Sequence, residues 1–242
     1  MTPALPWLDR ARELYLPRAV ESLIVRAWFA SPVAADVVHG LRLESALGWV
    51  VVAHATGEPP PEGFAGVPRG MHVDIPVPIA DVVMEGRPVA CASDVQTPGA
   101  DAVSEVVRVR RQRTHPEAFA AAKVITSGGP WANAQRPTAA LATPCAWWHV
   151  RADRERLEAL LSDLHALGKG RAGGLGHVIG WGVEPDPLDA SLSLDGRPMR
   201  PLPVRDRTDA TERYPGATVR EASVRAPSWH RATRALCVVP SC

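Results

Sequence analysis

Hydrophobic and polar residues alternate with two different periods along the chain, and these periods predict strands and helices. Residues 22–30 (SLIVRAWFA) are rich in strand-forming residues and end at a Ser-Pro pair. A helix over roughly 38–54 follows, because apolar residues recur there at helical spacing, at Leu43, Ala46, Leu47, Val50 and Val51. Residues 79–84 and 88–93 then flank Glu85-Gly86-Arg87, a pattern typical of a β-hairpin with a glycine-containing turn.

The same periods return after residue 143. Cys145–Val150 (CAWWHV) predicts a strand with Cys145, Trp147 and His149 on one face and Ala146, Trp148 and Val150 on the other. Asp153 is placed to cap a helix whose apolar positions are Leu157, Leu160, Leu161 and Leu164, and Gly168 is the expected end of this helix. Residues 177–183 (HVIGWGV) predict the next strand.

Three regions lack clear periodicity. Residues 1–21 are expected to be an irregular lead-in because prolines interrupt them. An insert over about 95–143 reads as a long loop, and loops of this length in compact domains tend to be functional or disordered. Residues 185–242 form a C-terminal extension rich in Pro and Arg, in which Ala235–Val239 is the clearest strand signal. The domain itself is expected over 22–184.

The order of predicted elements is β-α-ββ, insert, β-α-β. We therefore expect an α+β fold with a ferredoxin-like (RRM-like) βαββαβ core, a long basic insert and a Pro/Arg-rich C-terminal extension.

Charge is distributed unevenly along the chain. The 242 residues carry a net charge of +1, but residues 1–105 hold 7 Arg and 13 acidic residues, whereas residues 106–242 hold 20 Lys and Arg and 13 acidic residues. Such asymmetry favours a polyanionic partner. The segment 197–234 alone carries 9 Arg and 4 acidic residues. It is expected to be either a second RNA-binding surface or a disordered arm that orders against a neighbouring subunit.

Several classes of protein are disfavoured. Gly48–Ala53 is the longest apolar stretch and falls far short of the roughly 20 residues of a membrane helix. The N-terminus has no basic region ahead of an apolar one, so we expect no secretion signal. Four cysteines without metal-ligand spacing predict no zinc site and favour a reducing cytoplasm. We expect no metal and no cofactor.

The most distinctive local pattern is Gly168-Lys169-Gly170-Arg171-Ala172-Gly173-Gly174-Leu175-Gly176. Its first six residues match G-x-G-x-x-G, but a helix precedes and a strand follows, which is the reverse of the order in a dinucleotide-binding site. No Gly-Lys-Ser/Thr follows at the spacing of a Walker loop. Bare backbone with two cations suits the binding of phosphate oxygens. The alternative, that the glycines only let the helix reverse into the strand, stays open.

In its context this glycine loop resembles that of the RAMP superfamily of CRISPR-associated proteins. Leu41–Trp49 (LRLESALGW), the insert with Gly128-Gly129-Pro130-Trp131, and Arg200-Pro201-Leu202-Pro203 are similar to the type IV subunit that resembles guide-RNA 5′-handle-binding subunits. The resemblance spans roughly 22–204. Glu44 departs from it, since an Asp is expected in the first helix, and the sequence assigns no role to either residue.

The resemblance implies a non-catalytic RNA-binding subunit that holds the 5′ handle and caps a filament of backbone subunits. Its partners are guide RNA, the backbone and large subunits of the same complex and, as a further option, target DNA. In the loop, the candidate RNA-binding residues are Gly168, Lys169, Gly170, Arg171, Gly173, Gly174, Gly176 and His177.

The insert supplies a second set of candidates. Four arginines within six residues suit a sugar–phosphate backbone, and an indole can stack on a base. The candidates in this region are Arg108, Arg110, Arg111, Arg113, His115, Lys123, Trp131 and Arg136. A solvated edge or an ion-pair surface between subunits is the alternative for the arginine run.

Two other functions stay open from the sequence. Some RAMP proteins cut RNA by general acid–base chemistry, so a metal-independent endoribonuclease that processes precursor guide RNA is one alternative, with His115 as the residue to test. A phosphate-contacting or loop role for His115 is the simpler interpretation. The other alternative is a structural module that contacts only proteins. For the tryptophans in predicted strands, Trp147, Trp148 and Trp181, core packing is expected for at least two.

Overall fold

A computed structural model of the chain describes residues 5–34, 41–57, 73–98, 103–110, 134–168, 174–226 and 231–240, with only the backbone described for 103–110 and 134–139. Within these ranges the protein is α+β, as expected, and its strands form several small antiparallel sheets. The helices are α1 (Pro6–Tyr15), α2 (Leu43–Thr56), α3 (Arg154–Ser162) and α4 (Arg207–Arg213).

The strands follow the same chain order. They are β1 (Glu21–Phe29), β2 (Asp81–Met84), β3 (Arg87–Ala90), β4 (Val103–Arg110), β5 (Ala134–Leu141), β6 (Cys145–Ala152), β7 (Val178–Pro185), β8 (Ser193–Leu194), β9 (Arg197–Pro198), β10 (Leu202–Pro203), β11 (Thr218–Ser223) and β12 (Arg234–Val239). A single turn of 3-10 helix, Arg231–Thr233, precedes the last strand.

The central sheet has the order β6-β1-β7, with β1 antiparallel to both neighbours. Buried and less buried residues alternate along β1 and β6, as the sequence predicts for β6, and the buried residues form the face turned toward the core. Leu23, Val25 and Ala27 of β1 are fully buried, as are Ala146, Trp148 and Val150 of β6. These residues pack with the apolar faces of α2 and α3 into the main core.

Single bridges extend the sheet beyond β6. Ala92 pairs with Val150, Gln96 with Trp147 and Ile79 with Ala152, all antiparallel. The predicted hairpin is confirmed, but β2 and β3 pair only with each other within the described chain and do not join the central sheet as full strands. Glu85 and Gly86 form its turn, both with positive φ.

The C-terminal extension packs as a second layer of structure. It contributes the sheet β10-β12-β11 and the helix α4, and its apolar residues form a second core cluster with Val89 of β3. The strand signal at Ala235–Val239 is confirmed in β12. The expectation of a disordered arm is wrong over the described part of 197–234.

Three further expectations are corrected. Residues 1–21 are not irregular throughout, because Pro6 occupies the first turn of α1, where its missing N–H costs no hydrogen bond. The insert is not a structureless loop either, since β4 and β5 pair over eight positions from Val103–Leu141 to Arg110–Ala134. The helix predicted to end at Gly168 ends earlier, at Ser162.

Asp153 holds α3 to the N-terminal region. Its side chain accepts from the Arg156 N–H, which caps α3, and also from the N–H groups of Arg18 and Ala19. Burial alone would raise the pKa of this carboxyl, but the three backbone donors and the Arg156 charge lower the pKa below its ordinary 3.8. The carboxylate form is therefore the one that stabilises the fold.

We expect Asp153→Ala to lower the free energy of unfolding by about 2 kcal/mol, because a helix cap and two further hydrogen bonds are lost. Since the folded pKa is depressed, this contribution is present above the unfolded pKa of about 4 and disappears as the pH falls through the folded value. Urea unfolding between pH 7 and pH 3 measures both effects. Asp9→Ala, at an exposed carboxylate on α1, is the control, and equal losses in the two variants would contradict the assignment.

Candidate nucleic-acid interface

Backbone hydrogen bonds join the two ends of the glycine loop, and the residues that form this closure, 165–168 and 176–178, are called the neck. The Leu167 N–H donates to the Gly176 carbonyl at 2.9 Å, and the Val178 N–H donates to the His165 carbonyl at 2.9 Å. The neck is also tied to the end of β1, because the Gly176 N–H donates to the Pro32 carbonyl at 2.8 Å. The two ends of the glycine loop therefore meet beside the end of β1.

At two positions of the neck, the backbone conformation and the close packing allow only glycine. Gly168 has φ +80° and Gly176 has φ +66°, in the left-handed region that L side chains rarely adopt. A Cβ at Gly168 would overlap the Ala34 carbonyl oxygen, and one at Gly176 would overlap the Leu167 carbonyl oxygen. Gly174 also has a positive φ, +81°, but a Cβ there would meet no atom within 4 Å. Packing thus explains the first two glycines.

Of the remaining loop candidates, only His177 is described, and it lies at the neck. His177 is exposed. Its backbone N–H donates to Ser31 Oγ, and its carbonyl accepts from the Ala30 N–H, both at 2.9 Å. Lys169, Gly170, Arg171 and Gly173 lie outside the described residues.

The second candidate surface is the two-stranded ribbon β4–β5. Arg108 pairs with Arg136 in the register, and Arg110 pairs with Ala134. Residues directly opposite each other in an antiparallel ladder share a face, so positions 108, 110 and 136 lie on one face of the ribbon. The other insert candidates, Arg111, Arg113, His115, Lys123 and Trp131, lie outside the described residues.

Both candidate surfaces are anchored to the same short segment after β1. Val33 exchanges two backbone hydrogen bonds with Leu141, the last residue of β5, at 2.9 and 2.8 Å. The next carbonyl, that of Ala34, lies against Gly168. The structure thus brings the base of the ribbon and the neck of the glycine loop together, although they are far apart in the sequence.

Part of the charge asymmetry of the sequence is neutralised by ion pairs within the molecule. Arg205 and Arg213 of the extension both reach Glu85 in the turn between β2 and β3, at 3.5 and 3.2 Å. Arg225 lies 3.6 Å from Asp74 and 3.5 Å from Asp81. Acidic residues of the first half therefore neutralise arginines of the second half. The described extension thereby offers less free positive charge than its composition indicates.

A buried ion cluster gives Glu44 the role that the sequence leaves unassigned. Glu44, at the start of α2, is 2% exposed, and its Oε1 lies 3.3 Å from Nη2 of Arg200, which is 1% exposed. Arg200 also donates to the carbonyls of Ala90, Ala92 and Val224. One guanidinium thus joins α2, the segment after β3 and the end of β11.

Arg42 and Asp94 complete the charge balance of this cluster. Arg42 Nη1 lies 3.8 Å from Glu44 Oε1. Burial lowers the pKa of Arg42, with Glu44 acting in the opposite direction. Burial likewise raises the pKa of Asp94, although Arg42 and Arg200 oppose that rise. The sequence indicates Arg200 only as part of a motif. Its pairing with Glu44 could not be predicted, because 156 positions separate the two residues.

The aromatic and histidine candidates in the central sheet are structural. Trp148 is fully buried and its Nε1 donates to the Leu41 carbonyl, while Trp181 is partly buried and donates to the Leu164 carbonyl. This confirms core packing for two of the three strand tryptophans. His149 Nδ1 lies 2.9 Å from the buried carboxylate of Asp186, which also accepts from the N–H groups of Leu188 and Ala190.

Comparison with known proteins adds no relative. No family model matches the chain, and a search of curated proteins finds no significant match. Within the described ranges, none of the helices has the length and apolar character that crossing a bilayer requires. The described residues also hold no group of three His, Cys, Asp or Glu side chains placed to bind a metal ion.

From the geometry of the neck we predict that alanine substitutions at three glycines of the loop change the free energy of unfolding by different amounts. We expect Gly176→Ala and Gly168→Ala to lower the free energy of unfolding by about 3 kcal/mol or more, since backbone strain and overlap with a carbonyl oxygen add. Gly174→Ala meets only the left-handed φ and is expected to cost about 1 kcal/mol. Thermal and urea unfolding measure the three. A Gly176→Ala protein as stable as Gly174→Ala would show that the neck is not closed.

Removal of the buried guanidinium is expected to be severe. Arg200→Met removes a charged donor from three buried carbonyls, of which those of Ala90 and Val224 keep a backbone N–H donor, and it leaves Glu44 without its nearest partner. We therefore expect a loss of about 3 to 5 kcal/mol in unfolding free energy. Arg197→Met, at an exposed arginine three residues earlier, is the matched control and is expected to change stability by less than about 0.5 kcal/mol. The assignment fails if the two variants unfold at the same urea concentration.

Proposed function

We propose that the protein is an RNA-binding subunit of a type IV CRISPR ribonucleoprotein, and that it holds the 5′ handle of the guide RNA and caps the backbone filament. The observation that carries this proposal is the closed neck. Its hydrogen bonds bring together, beside the end of β1, the two ends of a segment whose sequence contains Lys169 and Arg171 and no acidic residue between positions 168 and 177. Main-chain N–H groups and two cations at such a point suit phosphate oxygens.

The topology supports a ferredoxin-like core of the RAMP type as part of the proposal. The sheet order β7-β1-β6 continues through single bridges to the segment 92–96, which occupies the place of a fourth strand. Helix α2 connects β1 to this segment along the chain, and α3 connects β6 to β7. This connectivity supports the proposal of a βαββαβ unit whose second strand, in chain order, is reduced to isolated bridges.

The ribbon β4–β5 adds a second reason to propose a polyanionic partner. Like charges directly opposite each other in a ladder disfavour pairing, and the register places Arg108 opposite Arg136. A phosphate between two guanidinium groups would reverse the sign of that interaction. Because the ribbon and the glycine loop are anchored to one segment, a single RNA strand is the partner that would reach both.

The rest of the proposal follows from the resemblance. The subunit would act without catalysing a reaction and without a cofactor, in contact with the backbone and large subunits, and target DNA is a further proposed partner. Sequence recognition of the target would then belong to base pairing by the guide. The proposed location is the cytoplasm, and three free cysteines, Cys91, Cys145 and Cys237, suit a reducing compartment.

The test is binding of labelled single-stranded RNA carrying the organism's own CRISPR repeat. We expect the double variant Lys169→Glu, Arg171→Glu to bind at least about tenfold more weakly than wild type. Its slope of log affinity against log salt should be shallower by about 1 to 2, since phosphate contacts are lost. The matched control is Arg10→Glu, Arg207→Glu, which changes the net charge equally at two exposed helix positions.

Two results would overturn the proposal. One is a wild-type protein that binds no RNA even at low salt. The other is an equal loss of affinity in the loop variant and the control, which would show a general effect of net charge in place of a site.

A further inference from the structure

Trp28 lies on the outer face of the central sheet. Its neighbours on the other face of β1, Leu23, Val25 and Ala27, are fully buried, whereas Trp28 is 39% exposed. Exposure of a large aromatic ring at the centre of a sheet is unusual for a residue whose only task is packing. The sequence does not single out Trp28 among the eight tryptophans.

The adjacent strand is shaped to seat this ring. Gly180 of β7 pairs with Trp28, and Gly182 pairs with Arg26. A Cβ on Gly182 would lie 2.8 Å from Cη2 and 3.1 Å from Cζ3 of Trp28, so the indole lies against the bare main chain of Gly182. Glycine inside a strand weakens it and often marks a close approach. Here the indole of Trp28 is the group that lies close to the glycine backbone. This contact holds the ring in place, and part of the ring stays exposed to solvent.

The charges around Trp28 favour an uncharged ring as its ligand. The nearest cation on the same face of β1, Arg26, is paired with Glu184 at 3.1 Å. The pair leaves the surface beside the indole close to neutral, which suits a nucleobase better than a phosphate. Base stacking on an exposed aromatic side chain is the common mode by which proteins hold unpaired nucleotides.

Position links this ring to the glycine loop. Ala30, two residues after Trp28 and about 7 Å further along the chain, donates its N–H to the His177 carbonyl at the neck. The loop that follows this neck carries Lys169 and Arg171 and no carboxylate. An exposed aromatic ring near the closed end of a loop whose sequence carries two cations matches the two halves of a nucleotide, its base and its phosphate.

We propose that Trp28 is a base-stacking residue, and that it holds an unpaired base of the RNA strand whose phosphates the glycine loop binds. This inference rests on the proposed function for the identity of the polymer. Exposed Ile179, which adjoins the bulge between β1 and β7, makes a protein surface the competing interpretation.

The test uses the full chain with two fluorescein-labelled probes, a single-stranded oligo-U RNA and an abasic oligomer with the same sugar–phosphate backbone. Stacking of one base corresponds to a change of about tenfold in affinity. We therefore expect Trp28→Ala to bind oligo-U about tenfold more weakly and the abasic oligomer as wild type does. Trp28→Phe keeps an aromatic face and is expected to recover most of the loss.

A pair of glycine variants tests the same ring without removing it. Gly182→Ala forces the end of the indole to move, and we expect it to weaken oligo-U binding severalfold. Gly180→Ala places its Cβ 3.7 Å from Trp28 Cε3, an ordinary contact, and is expected to bind as wild type does. Urea unfolding of all four variants shows that each remains folded.

The outcomes separate this inference from the proposed function. If the loop variant Lys169→Glu, Arg171→Glu loses affinity while Trp28→Ala does not, the stacking role is wrong and the loop assignment stands. Equal losses of Trp28→Ala for oligo-U and for the abasic oligomer would also overturn stacking. If wild type binds the repeat RNA but neither of these probes, the stacking inference fails and the proposed function stands, and if it binds none of the three, both proposals fail. If Trp28→Ala leaves RNA binding intact but changes the sedimentation of the protein, Trp28 lies in a protein interface.

Discussion

The arrangement of the molecule depends on one buried guanidinium. Arg200 donates to the carbonyls of Ala90, Ala92 and Val224 and lies beside the carboxylate of Glu44. Those groups belong to separate parts of the chain, and an unpaired charge at this depth would be very costly. The C-terminal extension is therefore held against α2 and the hairpin by a contact that tolerates little displacement.

Ion pairs within the protein also change what the basic composition of its second half indicates about a partner. A basic second half predicts a polyanionic partner, but Arg205, Arg213 and Arg225 face carboxylates of the first half. These arginines of the extension are therefore partly neutralised within the molecule. The case for nucleic acid thus depends on where the cations lie and much less on how many there are.

Local signals predict well the elements that local forces determine. The alternation of Cys145–Val150 and the cap at Asp153 are both confirmed, since neighbouring residues decide each. Helix α1 is missed because Pro6 reads as a breaker, although proline is favoured in a first turn. The ribbon is missed because its strands pair across the 23 residues between Arg110 and Ala134. The ion cluster and the seat of Trp28 depend on contacts between distant segments, which no local period encodes.

The closed neck of the glycine loop has a consequence for how this protein can vary over time. The hydrogen bond between Leu167 and Gly176 closes the glycine loop at its base, so residues inserted or lost between these two positions can leave that closing contact in place. Lengthening a loop adds only slowly to the entropy of closing it. The sequence and length of the segment between the two closing positions can therefore change during evolution while the hydrogen bonds that close the loop are kept.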